Sequence, residues 1–490
     1  MFFPSMREML TYLEAEGDVK RIKQEVDGEA DVGAIMWELY NRRGSQAPVV
    51  IFENVKGRAM PLVKNVYGSL ERWALAAGME AWRGQHRYKE IREHIMPLTH
   101  DQSRWIDPVI VKDAPCKEVI LKGEGADLGL LPVFRWHPSD GGPYITLPGC
   151  VLRDPEWGHN FGMYRMMIHD RGTTGFVANA AQDGGIFAAR AKQRGQKTMD
   201  LAVAIGFDPA LYLAAVMKMP EVGRDCEFRF VGALTGRPVE LVHCETIEME
   251  VPASSEIVLE GQVHLEASRL EGPFGEFTGY AGEQMNQPIF KLRCITMRRH
   301  PSYVSTTSAH YASECLALHY PQPTAWYNKM KREIVGFRDA FFPMAGRMLL
   351  VVIQIKKRYP GWGKQALLTA LGSGFGMSIL NQAIVVDEDV DIYSLEEVMW
   401  AVTTRCDPEL DVLILPPVAV NALNPAARAR LPKGPELGYT DFNLCSKMGI
   451  DATKKFASEA GRSRATPETS RPGEKDLQRI RGIWSQFGLD

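Results

Sequence analysis

Between Leu270 and Tyr280 the chain reads Leu-Glu-Gly-Pro-Phe-Gly-Glu-Phe-Thr-Gly-Tyr, with two acids, Glu271 and Glu276, five residues apart around Gly-Pro-Phe-Gly. That spacing fits neither one face of a strand nor one face of a helix. The glycines and the proline instead predict a tight turn that delivers both carboxylates to one point from opposite sides. Two acids held near each other cannot both ionise cheaply, so one keeps a proton near neutral pH and can donate it. The alternative reading of the same stretch is a solvated turn, with Glu271 in water and Glu276 on the surface of a strand.

Such a turn needs a scaffold, and 490 residues are too many for one core, which predicts two or three domains. Apolar residues at 45% and charged residues at 24% provide ample material for a buried interior. A net charge of −3 without a long basic block excludes a nucleic-acid surface. Arg7 precedes any apolar run of signal-peptide length and no long apolar window follows, which predicts a cytoplasmic chain without an integral membrane segment. The eight cysteines include no Cys-x-x-Cys pair, so they predict free thiols rather than disulfides or a zinc site.

Along the chain, residues 1–115 mix helix and strand. Helices are expected at 6–16, 31–42 and 69–79, the last capped by Ser69, with a strand at 48–52 and a boundary within 107–116. Residues 116–320 change to short apolar or alternating runs punctuated by glycine. Those at 164–168, 228–234, 257–265 and 290–297 predict strands of an antiparallel barrel or sandwich, interrupted by helices at 185–193 and 209–217. Residues 321–455 return to layered alternation of helix and strand: a strand buried on both faces at 348–355, a strand at 383–386, an acidic turn at 387–391, a helix at 394–404 and a strand at 411–415. Residues 456–490 form a polar tail, amphipathic at 476–487, of the kind that docks on a neighbouring subunit or frays.

Five motifs then occur in order: Asn160-Phe-Gly-Met-Tyr-Arg165, Ala181-Gln-Asp-Gly-Gly185, Pro252-Ala-Ser-Ser-Glu-Ile-Val-Leu-Glu-Gly261, Glu271-Gly-Pro-Phe-Gly-Glu276 and Val386-Asp-Glu-Asp-Val-Asp391. Together they resemble the UbiD family of reversible decarboxylases, over residues 5–455. The resemblance implies an α/β and α+β multidomain chain whose central domain is a split β-barrel of the FMN-binding type, flanked by N-terminal and C-terminal α/β domains. It implies prenylated FMN, bound at its phosphate with a divalent metal, usually manganese, and a monovalent ion, usually potassium. A flavin prenyltransferase as cofactor supplier and assembly into homodimers or homohexamers are implied as well.

Carried over by position, Asn160 and Glu227 match the family's metal ligands, the amide oxygen being a hard donor that manganese accepts. A paired strand carboxylate is the alternative for Glu227. Met217 and Met219 match positions whose backbone carbonyls serve the monovalent ion, with ordinary packing methionines as the alternative. Arg165 matches the arginine whose planar fork holds one carboxylate ionised while the other exchanges its proton. On this reading Glu276 protonates the carbon left after CO2 departs and Glu271 orients Arg165. Met163, Tyr164, Gln182, Asp183 and Gly184 fall along the cofactor. Asp183 stands where many members carry a histidine as third ligand, so either it ligates the metal or the site has two protein ligands and water. Gln382 stands where lysine is common, which removes one cationic contact near the phosphate.

The implied reaction is reversible decarboxylation of an aromatic acid, hydroxylated or not, or of an α,β-unsaturated acid, through a covalent adduct with the cofactor. Losing CO2 from an sp2 carbon leaves a carbanion that no side chain can accept, so a cofactor must. His310 and His319 lie downstream of the glutamate turn, where hydroxybenzoate-acting relatives place a histidine against a ring hydroxyl; a satisfied structural histidine is the alternative. Three other readings compete: a thioester-linked aromatic acid as substrate, a non-catalytic subunit of a multi-subunit carboxylase, and a plain flavin redox enzyme. Intact Arg165, Glu271 and Glu276 argue against the second, and a fold alone does not establish the third.

Overall fold

The computed structural model describes residues 2–80, 87–178, 182–219, 223–314, 323–374, 379–421, 423–427, 429–430, 442–459, 461, 463–470 and 472–488. The sheet that carries the site is antiparallel. Its strands are β1 (Val119–Lys122), β2 (Tyr144–Ile145), β3 (Gly149–Asp154), β4 (Gly158–Met163), β5 (Met166–Asp170), β6 (Thr173–Gly175), β7 (Thr198–Ile205), β8 (Ile257–Glu271) and β9 (Met285–Met297). They lie in the order β2-β5-β6-β9-β8-β7-β3-β4, with β1 added on β9. The long pair β8 and β9 forms the spine, running from Ile257 opposite Met297 to Glu271 opposite Met285. Irregularities after Glu260 and His264 bend it.

Connectivity dictates the shape. β4 is last in the strand order and β5 is next to first, yet only Tyr164 and Arg165 join them. Met163 and Met166 are therefore within about 11 Å of each other along the chain. The sheet must curl until its two ends approach, which makes a half-barrel with Tyr164 and Arg165 at the closing corner.

Three helices border this sheet: α1 (Asp183–Gln193), α2 (Pro209–Val216) and α3 (Cys226–Thr235). α2 begins on a proline, with Asp208 Oδ1 accepting from Ala210 N at 2.8 Å, the expected chemistry of a helix start. α3 corrects the strand expected at 228–234. Cys226, Glu227, Phe228, Phe230, Val231, Gly232 and Leu234 are all buried, so no polar face marks a helical period, and a short apolar run reads alike for strand and helix. The true signal is Gly236 just beyond it, left-handed at φ 71°. Glu227 is consequently a first-turn helix residue. The strand expected at 164–168 starts only at Met166, and those expected at 257–265 and 290–297 are parts of β8 and β9.

Around the half-barrel, Val19–Ile22, Val49–Phe52 and Leu62–Lys64 form a second sheet completed by Tyr303–Ser305 from far along the chain. Val109–Val111 pairs with Glu240–His243 and, through it, Glu250–Pro252. The fourth sheet is mixed, built on Phe337–Phe341, Leu350–Ile355, Gln382–Asp387, Phe442–Asp451 and Val412–Asn421. Its strand expected at 348–355 begins late because Arg347 and Met348 both adopt positive φ, 51° and 62°. Ser69 caps Leu70–Ala76 as expected, its Oγ accepting from Arg72 N at 3.3 Å. The described cysteines are free thiols, and among the described residues no helix is long and apolar enough to cross a membrane.

Leu259 pairs with Val203 on one side and Ile295 on the other and is fully buried. Leu259→Ala should cost about 2–5 kcal/mol, read as a lower urea midpoint; an unchanged midpoint would remove β8 from the load of the fold.

Candidate active site

β8 ends at Glu271, and the chain turns at once through Gly272, whose φ of 99° is open to glycine alone at low cost, and the cis peptide Gly272–Pro273. Residues 274–282 then fold back on themselves. Gly282 N donates to Phe274 O at 2.8 Å and Glu276 N donates to Tyr280 O at 2.9 Å. Both acids reach Arg165 at the β4–β5 corner: Arg165 Nε lies 3.4 Å from Glu271 Oε1, and Arg165 Nη1 donates to Glu276 Oε1. The solvated-turn alternative is excluded, because the Glu271 and Glu276 side chains are only 1% and 8% exposed. Phe274 backs the arginine, its ring 5.0 Å from the guanidinium carbon. Tyr144 packs 4.6 Å from that ring, and its hydroxyl donates to Pro273 O at 3.2 Å.

Burial is the largest influence on both carboxyls and raises their pKa, while Arg165 pulls each back toward the ionised form. Burial also works against the guanidinium charge, but Glu276 and Glu271 outweigh it and hold Arg165 above its ordinary value. Repulsion between the two acids, the cause expected from their spacing, is minor: for Glu271 it ranks behind burial, Arg165 and Tyr144, and the acid that acts on Glu276 is Asp140. Glu271 Oε2 is buried, and among the described residues no group lies within hydrogen-bond geometry of it, Tyr144 acting on the carboxyl from slightly farther away. This oxygen faces Gly175, where a Cβ would stand 3.1 Å away.

Tyr164 serves a second group of residues. Its hydroxyl donates to Asn160 Oδ1 at 3.2 Å and accepts from Gly184 N at 2.8 Å. Glycine is required on both sides of the ring: a Cβ at Gly184 would lie 2.7 Å from Tyr164 Cζ, and one at Gly162 would lie 3.0 Å from the hydroxyl. Asn160 on β4 and Glu227 on α3 are brought together here, Phe161 N donating to Glu227 Oε2 at 3.3 Å. Glu227 is buried, and no cation pairs with it among the described residues. Burial pushes its carboxyl up to about 8, with the Asp183 charge adding to the effect. The entry to α3 is strained, since Gly223, Arg224 and Asp225 adopt positive φ in succession, 76°, 58° and 54°. His159 Nδ1 holds Asp225 Oδ1 at 2.5 Å.

Asp183 opens α1 and is paired with Lys218 Nζ at 2.5 Å. Lys218 lies between Met217 and Met219, both buried. Gln182 precedes α1 and is exposed, and Met163 stands opposite Gly149 of β3. A hard divalent cation fits this end of the site: two oxygen donors, Asn160 and Glu227, with a buried carboxylate that lacks a counter-charge. No group of three His, Cys, Asp or Glu able to hold a metal occurs among the described residues, and Asp183 is engaged by Lys218 instead.

His310 is placed differently from expectation. Ala312 N donates to its Nδ1 at 3.1 Å and its Nε2 lies 3.1 Å from Asn41 Oδ1, so both ring nitrogens are used within the protein. Its ring stacks on Tyr40 at 5.4 Å. His319 lies outside the described residues, and Gln382 is exposed at the start of its strand. Sequence reasoning missed Tyr144 and Asp140, which sit in a short strand and a glycine-rich turn without periodicity to mark them.

Family models for 3-octaprenyl-4-hydroxybenzoate carboxy-lyase match the chain as N-terminal domain at residues 10–92, Rift-related domain at 109–311 and C-terminal domain at 320–452. The chain belongs to the UbiD family of carboxy-lyases. This UbiD member is 32% identical over 517 residues to an uncharacterised protein of Archaeoglobus fulgidus, with 99% of each chain covered. Among solved structures it is similar to the UbiD-class enzyme HmfF from Pelotomaculum thermopropionicum in complex with FMN, at 29% identity, 97% and 99% coverage and a TM-score of 0.81. An evolved dimeric form of HmfF in complex with prenylated FMN matches at 29% identity, 97% and 98% coverage and a TM-score of 0.77. Vanillic acid decarboxylase of Sedimentibacter hydroxybenzoicus in open form matches at 29% identity, 99% and 100% coverage and a TM-score of 0.82.

Two outcomes follow from this geometry. Gly184→Ala should dislodge the Tyr164 hydroxyl from Asn160 and lower the melting temperature; an unchanged melting temperature would show that the ring moves aside without cost. In chelator-treated protein, Glu227 has a folded pKa of about 8 against an ordinary 4.5, so its contribution to stability is complete below pH 4.5 and is lost as pH rises toward 8. The melting temperature should therefore fall with pH across that window more steeply in wild type than in Glu227→Gln, and added manganese should flatten the difference. Equal slopes would contradict a buried, unpaired Glu227.

Proposed function

We propose that this protein catalyses the reversible, non-oxidative decarboxylation of an aromatic or α,β-unsaturated carboxylic acid with prenylated FMN. One observation carries the reading: a half-buried Arg165 reaches both Glu271 and Glu276, whose carboxylates are buried. One guanidinium and two carboxylates balance only when one carboxyl keeps a proton, so the site holds a fixed positive fork beside a loaded acid. The FMN and prenylated FMN bound by HmfF support the cofactor, and the vanillic acid decarboxylase supports an aromatic acid as the substrate class.

On this reading the curled sheet is a split β-barrel of the FMN-binding type within residues 116–320, between units at 1–115 and 321–455. Asn160 and Glu227 would hold a divalent metal, manganese by the donor set, at the flavin phosphate. The backbone carbonyls of Met217 and Met219 would take potassium, and Met163, Tyr164 and Gly184 would line the cofactor. Asp183, neutralised by Lys218, adds no net charge beside the metal. When bound, prenylated FMN supplies the electron sink through a covalent bond to the substrate, a capacity no side chain offers.

The chain's own residues do the rest. Glu271 holds Arg165 through Nε, and Arg165 holds Glu276 through Nη1. Glu276 delivers its proton to the carbon that has lost CO2 and removes one in the carboxylation direction. Burial excludes water that would otherwise compete for that proton. A cytoplasmic homo-oligomer, supplied by a flavin prenyltransferase, completes the proposal.

The test is production alongside a flavin prenyltransferase, followed by absorbance, bound-cofactor mass and hydrogen–deuterium exchange into a panel of aromatic acids. Glu276→Gln should cut exchange by about 100-fold or more with cofactor still bound. Cofactor lost in that variant would make Glu276 structural, and a wild type that carries plain FMN and oxidises NADH would overturn the decarboxylase reading.

A further inference from the structure

The acid loop rests on a second loop to which the proposed reaction assigns nothing, His137-Pro-Ser-Asp-Gly-Gly142. The two are stitched together. Gly275 N donates to Asp140 Oδ1 at 2.8 Å, and Gly141 N donates to Pro273 O at 2.7 Å. Asp140 Oδ2 accepts from His137 N at 3.0 Å and so closes its own loop, while His137 Nε2 lies 3.0 Å from Ser308 O on the far side. A Cβ at Gly141 would stand 2.0 Å from Gly272 O, so these loops meet backbone to backbone with no room for a side chain.

Asp140 is buried, and no lysine or arginine pairs with it among the described residues. Leaving a carboxylate so is costly when a neutral group would hold one amide as well. Asparagine could not hold both, because its NH2 group would face one of the two N–H donors. The charge has a neighbour on which to act. Burial is the main cause that raises the proton affinity of Glu276, Arg165 lowers it, and Asp140, its own proton affinity raised by burial, adds a smaller raising effect. The other titratable or charged side chains around the loop are Glu271 on the second arm of Arg165, His137 beside Asp140, and Arg347, whose Nη1 donates to Phe277 O at 3.2 Å and Ala309 O at 2.7 Å.

We propose that Asp140 is a positioning residue for Glu276: it clamps the Gly275 amide and closes the His137 loop against the acid turn, so that Glu276 meets Arg165 and the two carboxyls are coupled. The inference rests on the decarboxylase reading for its consequence in turnover, but the coupling of the two carboxyls can be measured without it.

In prenylated-FMN-loaded enzyme, Asp140→Asn should lower kcat for exchange about ten-fold with KM changed less than about two-fold. The basic limb of the kcat profile should move to lower pH, because Glu276 ionises sooner. Asp140→Ala should have the larger effect on kcat. Independently of activity, the carbonyl stretch of protonated Glu276, assigned by its loss in Glu276→Gln, should disappear at lower pH in Asp140→Asn than in wild type. An unmoved band and an unmoved limb overturn the proposal, as does Asp140→Asn protein that has lost cofactor or melts far below wild type, since that marks a merely structural residue. If the band moves while wild type exchanges no acid, the decarboxylase reading falls and the coupling stands; if wild type exchanges and the band stays, only the coupling falls.

Discussion

One guanidinium shared by two buried carboxylates governs this molecule. A half-buried Arg165 meets the buried carboxylates of Glu271 and Glu276, and two carboxylates against one guanidinium would leave an uncompensated negative charge where the dielectric is low. A proton resolves the imbalance, and burial, the largest influence on both acids, favours it. The surrounding architecture serves to keep those groups together and dry: the corner after β4, the turn at Gly272, the Phe274 ring beneath the guanidinium and the Asp140 loop behind it. Remove the arginine and two buried acids would repel each other without a mediator.

The opposite end has the complementary problem. Glu227 is a buried carboxylate with no cation among the described residues, next to the Asn160 amide oxygen, and Asp183 is already answered by Lys218. A missing positive charge there and a surplus proton at the other end are different solutions to the same cost of burying anions. Tyr164 belongs to the first end and Arg165 to the second, although one peptide bond joins them.

Much of this was legible in the residues. Glycine and proline between two acids signalled the turn, because few conformations are open to Gly-Pro-Phe-Gly, and Ser69 marked a helix start through hydroxyl chemistry that acts locally. The ordered motifs led to the family and hence to Arg165, which no periodicity would have picked out. What escaped depends on distant partners. α3 is apolar on nearly every side, so its period was invisible, and both acids owe their raised pKa to burial first, with Asp140 adding to it at Glu276. The Asp183–Lys218 pair joins the first turn of α1 to the segment after α2, and the two nitrogens of His310 are spent on Asn41 and Ala312, neither of which its own motif could reveal.

The corner between β4 and β5 also acts as a ruler. With two residues joining strands from opposite ends of the sheet order, the gap from the Asn160 end to the acid end is set by bond lengths, and no loop is present there whose length could drift. Walls can be remodelled around that gap to admit larger or smaller molecules. The gap itself cannot be rescaled without unrolling the sheet.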